Sequence, residues 1–266
     1  MGSSLDPDAL DTWLLGTART LLLQPGNREH RGLLYGIGQL LCDRADFEES
    51  LQYYSRCLAV EERDLGADHP DVAATQNSMA VALGRQGNHT EALAVFASAL
   101  SKFRSVYGEV HLDVAATQSG IADVHRCQGR FDVALDNYEQ ALSTRVRLLG
   151  TADHLDVARS QHNVAEMHRE QGRNTEALKM LEMALKTYEN VLGKGHLAVG
   201  DTCYNIGTLH LRERDATSAV EFFNRCWAIY KVVYGECHTE TRSAKRKLDG
   251  ATRQAHSSHS ASARRR

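Results

Sequence analysis

A phrase of 20 residues occurs twice with 10 positions identical, and no other feature of the sequence constrains the fold as strongly. "HPDVAATQNSMAVALGRQGN" begins at His69 and "HLDVAATQSGIADVHRCQGR" begins at His111. The histidine recurs at His154, His196 and His238, so that successive spacings are 42, 43, 42 and 42 residues. A period of this length predicts a stack of similar units rather than one globular core.

Each copy contains two amphipathic segments that are joined by a turn. In the second copy, Leu93, Phe96 and Leu100 recur at the spacing of one helix face, not at the alternation of a strand. The turn reads RQGN, CQGR and EQGR in successive copies, and its glycine, such as Gly87, suits the left-handed end of a helix. The sequence therefore predicts two helices per copy.

Small and large residues occupy three series of matching positions, which predicts close packing between the two helices of a copy. The first series is small: Gly38, Ala80, Ala122, Ala165 and Gly207. The second is also small: Ser50, Ala92, Ala134, Ala177 and Ala219. The third is large and apolar: Tyr54, Phe96, Tyr138, Leu181 and Phe223. Because one helix pair cannot bury its apolar face alone, the copies are expected to stack.

The register of the repeat predicts the boundaries of the segments. Five repeats are expected within 27–238, the first without the repeated histidine: 27–68, 69–110, 111–153, 154–195 and 196–237. Residues 1–26 are predicted to hold an N-terminal helix that covers the first repeat with Leu10, Trp13, Leu14 and Leu21. A polar helix at 239–254 would cap the array. The basic tail at 255–266 has no large apolar residue and is predicted to be disordered.

Composition favours a folded helical chain without a membrane span, since it is 42% hydrophobic with only 3 Pro and no apolar run of about 18 residues. The net charge of -3 gives no bias toward a specific nucleic acid. Residues 239–266 nevertheless carry a local charge of +6, which suits either a solvating cap or contact with an acidic surface. The 6 Cys form no CxxC pair, and we expect reduced thiols in a cytoplasmic protein.

No catalytic, metal or cofactor constellation is recognisable in the sequence. The HExxH motif, the P-loop and the nucleophile elbow are absent, so we predict no enzyme activity and no cofactor. The repeated histidines would lie about 10 Å apart per packed layer, whereas zinc holds its ligands at about 2 Å. We therefore expect each histidine to hydrogen-bond a helix start or linker rather than a metal ion.

The repeated phrase resembles the tetratricopeptide repeat in its 42-residue form, as in kinesin light chains and nephrocystin-type proteins. "LGADHPDVAATQNSMA" and "LLGTADHLDVARSQHNVA" carry the resemblance, which covers residues 27–238. It implies an all-α, right-handed α-solenoid of about five helix pairs with an N-terminal helix and a C-terminal capping helix. The repeat is a specific sign of this fold but not of one function, because many unrelated proteins share it.

The resemblance also implies a concave groove along the first helices, where an Asn commonly binds the backbone of an extended peptide. Asn163 and Asn205 occupy that position in copies four and five, whereas Ser78 and Gly120 replace it in copies two and three. An Arg near an Asn would suit an acidic peptide. The predicted groove residues are Asn77, Asp123, Arg126, Arg159, His162, Asn163, Glu166, Arg169, Asp201, Tyr204, Asn205 and Arg212.

The sequence thus predicts a non-enzymatic scaffold or adaptor that holds an extended peptide or helix of a protein partner. The resemblance makes kinesin light chain-like transport the leading context. Tubulin or motor-associated proteins would then be partners in a cytoplasmic, cytoskeletal or ciliary/flagellar location. The alternative is a structural subunit of a large cytoskeletal or ciliary/flagellar assembly, bound through its convex face and edges. An exposed repeat end would also allow a homodimer.

Overall fold

The protein is helical throughout the residues that the computed structural model describes, which are 7–23, 30–150 and 154–263. These ranges hold twelve helices and no strand, which confirms the all-α class. The helices are α1 (Pro7–Leu22), α2 (Arg31–Asp43), α3 (Phe47–Leu65), α4 (Pro70–Gln86), α5 (His89–Tyr107), α6 (Leu112–Cys127), α7 (Phe131–Leu149), α8 (Leu155–Glu170), α9 (Asn174–Leu192), α10 (Leu197–Arg212), α11 (Ala216–Tyr234) and α12 (Thr239–Ala263).

Consecutive helices pack as antiparallel pairs. In the first pair, the Ser50 hydroxyl donates to the carbonyl oxygen of Gly38 at 2.6 Å, and the Cys57 thiol donates to that of Arg31 at 3.5 Å. Residues later in α3 therefore contact residues earlier in α2, as expected for antiparallel helices. The second helices α3, α5, α7, α9 and α11 are all 19 residues long, as expected for copies of one unit.

The small and large residue series meet between the two helices of a pair, as predicted, in the first and the fifth repeat. The large side chains at 54, 96, 138, 181 and 223 are at most 3% exposed. At Gly38 an added Cβ would lie only 2.9 Å from the ring of Tyr54, and at Gly207 it would lie 3.1 Å from Phe223. A side chain at position 38 would therefore overlap Tyr54, whereas at position 207 Phe223 would have to move by a few tenths of an ångström.

The repeated histidines cap the first helices. The Nδ1 atoms of His69, His111, His154, His196 and His238 each accept the backbone N–H two residues later, at 3.1, 3.2, 3.2, 3.1 and 3.3 Å. This confirms the expected role at helix starts. His30 caps α2 in a related way, accepting from Leu33 at 3.3 Å, so the first repeat does have a capping histidine. The pattern missed it because α2 begins about one turn later in the register.

The turn between paired helices uses a left-handed residue in both the intact and the weakened copies. Gly87 ends α4 with φ of 96°. At the matching positions of the first and fifth copies, Ala45 and Arg214 adopt φ of 61° and 63°. Residues with a Cβ rarely adopt this conformation, so these two turns are strained.

The chain divides into two units, residues 1–137 and 138–266, called unit 1 and unit 2 below. In unit 1, α1 buries Leu15 and Leu22 against a cluster that includes Ile37. The predicted face of α1 was therefore wrong, because Trp13, Leu14 and Leu21 are all exposed. The side chain of Leu10 lies outside the described residues. In unit 2, the largest cluster joins residues of α8 to α12.

The last helix differs from its prediction in length and in one face. Continuous helix runs to Ala263 rather than ending near 254, so 255–263 is not the disordered tail expected. After Gly250 this segment contains no Gly or Pro that would break a helix. Leu248 and Ala251 are buried against Phe223, so α12 is not polar all round. No helix in the described ranges is long and apolar enough to cross a membrane.

Candidate partner-binding site

In each unit one side-chain contact joins two neighbouring first helices, at positions that match between the units. In unit 1, the hydroxyls of Tyr35 and Ser78 are 2.9 Å apart. In unit 2, Asn205 Nδ2 lies 3.1 Å from His162 Nε2. Both pairs are separated by 43 residues. We call these contacts rungs, and two predicted groove residues, His162 and Asn205, form the rung of unit 2.

The rung of unit 2 has a defined direction. An amide nitrogen only donates, so the neutral His162 ring accepts at Nε2 and carries its proton on Nδ1. Burial lowers the pKa of His162, although nearby Glu166 and Asp201 oppose the shift. The amide of Asn205 is thereby held with its oxygen free to accept a hydrogen bond from a ligand.

Asn163 presents a second amide on the same helix surface. Its side chain is half-buried and makes no hydrogen bond within the part of the chain that the structure describes. An amide supplies two donors and an acceptor, which match the N–H and C=O groups of an extended peptide backbone. The structure therefore places Asn163 and the oriented Asn205 on neighbouring first helices of unit 2.

Most of the predicted groove arginines are paired with acids on their own helices. Arg126 pairs with Asp123 at 3.8 Å, and Arg159 pairs with Asp156 at 2.8 Å. Arg169 contacts both Glu166 at 3.5 Å and Glu170 at 2.8 Å. These ion pairs offset the cationic charge that an acidic peptide would meet.

Arg212 is the exception in unit 2. It donates to the carbonyl oxygen of Arg169 at 3.3 Å and has no carboxylate partner among the described residues. Its side chain is exposed, about two turns after Asn205 on α10. It is the groove cation that remains most available to an anionic ligand group.

Three further predicted residues have roles within the fold. Tyr230 donates its hydroxyl to Asp201 at 2.5 Å, which ties the start of α10 to α11. Tyr204 packs edge-on against Phe223, with ring centroids 5.6 Å apart. In unit 1, the amide oxygen of Asn77 is buried and accepts no hydrogen bond from the described residues.

Unit 1 has an apolar pocket where unit 2 has amides. A cavity of about 280 Å³ is lined by Phe96, Val81 and Val124, with Asp123 and Arg126 at its edge. Beside this pocket the Phe96 ring fills the space that a side chain at position 120 would need, since a Cβ on Gly120 would lie 2.5 Å from the ring. Gly120 was noted in the sequence only as a gap in the Asn series, and its fit to Phe96 was not anticipated.

Three buried thiols are poor candidates for a reactive site. Cys57, Cys203 and Cys226 are buried, and burial raises their pKa values to about 12, 11 and 12. A raised pKa disfavours the nucleophilic thiolate. No group of three or more potential metal ligands occurs among the described residues.

Sequence comparison identifies the repeats. One family model described as tetratricopeptide repeat matches residues 31–101, 71–145 and 156–231, and a second with the same description matches 120–191. No curated protein matches the chain significantly.

Solved structures show the same fold at low sequence identity. BtubC (BKLC) from P. vanneervenii matches with a TM-score of 0.67 at 21% identity, covering 85% of this chain and 91% of that one. A Podosopora anserina protein assigned as a kinesin light chain, with nearly identical TPR-like repeats, gives 0.63 at 18%, covering 76% and 95%. The Rap protein complexed with Competence and Sporulation Factor gives 0.58 at 13%, covering 93% and 71%.

Proposed function

Because the chain belongs to the tetratricopeptide repeat family, whose repeats serve as scaffolds for protein interaction, we propose that it is a non-enzymatic adaptor. Its ligand would be an extended segment of a partner protein, held across the first helices α8 and α10 of unit 2. The observation that carries this proposal is the pair of amides: Asn163 is unengaged, and Asn205 is oriented by His162.

The two amides suit main-chain recognition. An extended peptide exposes one N–H and one C=O per residue, and amide side chains can bind both kinds of group. Arg212, without a carboxylate partner in the described ranges, would add affinity for an acidic or C-terminal group of the ligand. The remaining charges of this surface are paired, so they would tune selectivity more than affinity.

The cellular context that we propose is cytoskeletal or motor-linked transport. Support comes from the fold neighbours that carry kinesin light chain names. Tubulin and motor-associated proteins are therefore the first partners to test, in cytoplasmic, cytoskeletal and ciliary or flagellar fractions. The Rap structure shows a neighbour of this fold in complex with a factor.

The adaptor proposal can be tested with selected peptides. Random peptides would be displayed and selected on the full chain, and the dissociation constants of the best binders measured by fluorescence anisotropy. We expect Asn163→Ala with Asn205→Ala to weaken binding at least about tenfold, because each lost hydrogen bond contributes about 0.5–1.5 kcal/mol.

The matched control replaces two amides on the second helices of the same unit, Asn190→Ala with Asn224→Ala. This control should bind like the parent chain, and circular dichroism should show equal helicity in all variants. Selected peptides that bind both double variants equally well would contradict the groove proposal.

A specific observation favours the alternative of a structural subunit. Leu148, Val191 and Val233 lie at matching positions near the ends of the second helices of unit 2 and are 44%, 44% and 48% exposed. Repeated exposed apolar residues suit contact with other proteins. If this edge binds the assembly, Val191→Asp with Val233→Asp will abolish co-sedimentation with it, whereas the double Asn variant will not.

A further inference from the structure

The start of α12 and the facing side of α11 enclose a cavity of about 610 Å³. Trp227 lines it from α11, Glu236 from the loop between the helices, and Thr239, Thr241, Arg242, Lys245 and Arg246 from α12. We propose that this cavity, called the α12 site, binds a short acidic segment of a partner protein. It is separate from the amide surface of α8 and α10.

The repeat register explains why the α12 site is open. Gly200, one repeat before Arg242, faces the side chains of Ile229 and Tyr230 on the second helix of its own pair. Tyr204, one repeat before Arg246, packs on Phe223 of that same helix. The face of α12 that would receive a second helix is therefore uncovered, because α12 continues as one helix to Ala263.

This face has the wrong chemistry for another stacked helix. In α10, Gly200 and Cys203 are buried in the helix pair, whereas α12 has Arg242 and Lys245 at these positions. Burying such charges without partners is costly. The opposite face of α12 remains apolar, with Ala244, Leu248 and Ala251 at most 7% exposed. The occupant must therefore neutralise charge rather than extend the apolar core.

The available charge at the α12 site is positive. Lys231 pairs with Glu236 at 2.6 Å, and Lys245 pairs with Asp249 at 3.0 Å. Arg242 and Arg246 are exposed and have no carboxylate partner among the described residues. They are separated by four residues, so both guanidinium groups leave the same side of the helix. Guanidinium groups bind carboxylates through two parallel hydrogen bonds.

The spacing suits carboxylates of an extended peptide. Side chains four residues apart on a helix have Cβ atoms about 5–6 Å apart. Alternate residues of an extended strand, which point to one side, are separated by about 6.6 Å. Two acidic residues at such alternate positions can therefore reach Arg242 and Arg246 together.

The surroundings of Trp227 disfavour a nucleic acid in this site. Lys231 Nζ and Lys245 Nζ lie 5.3 and 4.9 Å from the centre of the indole ring. These ammonium groups compete for the ring face on which a base would stack. Unit 1 also has 11 Lys/Arg against 19 Asp/Glu, which would repel a long polyanion. A short acidic peptide avoids both problems.

The test uses a blocked hexaglutamate peptide titrated into the full chain. The chain has 2 Trp, so Trp13→Phe leaves Trp227 as the single reporter of the site. We expect a saturable change in Trp227 fluorescence that weakens with added salt. Blocked hexaglutamine, of the same length, should cause none.

Variants locate the binding. Arg242→Gln with Arg246→Gln should weaken hexaglutamate binding at least about tenfold. Lys247→Gln with Arg253→Gln removes two cations of α12 that do not line the cavity. This pair should change the dissociation constant of hexaglutamate less than about threefold. Arg242→Lys with Arg246→Lys should recover part of the loss. Asn163→Ala with Asn205→Ala should leave it unchanged, which separates this test from that of the adaptor surface.

Four outcomes would overturn the proposal. They are equal weakening by both glutamine pairs, binding of hexaglutamine, tighter binding of a single-stranded oligonucleotide with the same arginine dependence, and an arginine-dependent dimer in sedimentation without peptide binding. The last result would assign the face to a second copy of the chain.

Discussion

The first helices of unit 1 and unit 2 use the same geometry for different chemistry. In unit 1 the rung joins Tyr35 to Ser78, and in unit 2 it joins His162 to Asn205. At the next position along the surface, unit 1 has Gly120 and an apolar pocket, whereas unit 2 has the amides of Asn163 and Asn205. Helix packing within each unit thus determines which side-chain positions come together. A few residue replacements at these positions then determine which ligand groups the surface can bind.

The two units also differ in charge. Residues 1–137 contain 11 Lys/Arg and 19 Asp/Glu, a net charge of -8. Residues 138–266 contain 20 and 15, a net charge of +5. Acidic ligands should therefore favour unit 2 over unit 1, which agrees with both sites proposed there.

The largest expected effect comes from giving unit 1 the residue of unit 2. Gly120→Asn should lower the free energy of unfolding by about 2–3 kcal/mol, because its side chain would overlap the Phe96 ring. Unit 2 has Asn205 and Leu181 at the matching positions. Adding Phe96→Leu should therefore recover more than about 1 kcal/mol. Urea unfolding of the two single variants and the double variant measures this coupling.

If the changes in the free energy of unfolding of the two single variants simply add in the double variant, residue 120 and residue 96 act independently. That result would contradict the comparison between the two units. Gly16→Asn is a suitable control, since an added Cβ there has no neighbour within 4 Å. It should change the free energy of unfolding little, apart from a small gain because Asn has a higher helix propensity than Gly.

Replacing a capping histidine by alanine should lower the free energy of unfolding by the same amount in both units. His69→Ala in unit 1 and His196→Ala in unit 2 each remove one acceptor for a backbone N–H. We expect each to lower the free energy of unfolding by about 1 kcal/mol, as for other N-cap replacements. His69→Asn keeps an acceptor and should be nearly neutral. A large effect in one unit alone would show that these histidines have another role.

Glycine substitution in the strained turn of each unit should give a smaller gain in stability. Ala45→Gly and Arg214→Gly place glycine where the backbone already has positive φ. Each should raise the free energy of unfolding by about 0.5–1 kcal/mol. Gln128→Gly, at the C-cap of α6 where φ is -83°, should instead destabilise, because glycine only adds freedom to the unfolded chain there. Loss of stability in either turn variant would contradict the proposed strain.

The rung of unit 2 should make the protein sensitive to acid. Burial lowers the pKa of His162, while the unfolded chain keeps the ordinary imidazole pKa of about 6.5. Just below that pH the unfolded state binds more protons, so the free energy of unfolding falls as the pH falls. His162→Gln should reduce this slope, and His256→Gln, at an exposed position, should not. Equal slopes in all three proteins would contradict this role for His162.

Sequence reasoning predicted the parts of the fold that repeat. The small and large series, the glycine turn at Gly87 and the capping histidines were all recoverable, because each appears several times at a fixed spacing. The predictions that differ from the structure concern segments that have no matching copy in the sequence. The buried face of α1, the cap of the shorter α2 and the length of α12 each depend on a single segment without a copy for comparison.

The site could be predicted in position but not in bonding. The register predicts that Asn163 and Asn205 lie on neighbouring first helices of unit 2, yet it could not show that Arg159 and Arg169 are held by neighbouring acids. The fit of Gly120 to Phe96 depends on distances between helices that a sequence does not contain.

Hydrogen–deuterium exchange of the full chain, with and without a selected peptide, tests the central proposal most directly. A peptide bound across the amides should slow exchange in 160–170 of α8 and 201–212 of α10. The ends of the second helices, 186–192 and 228–234, should exchange unchanged. Protection confined to those ends would contradict the adaptor surface and assign binding to the apolar edge instead.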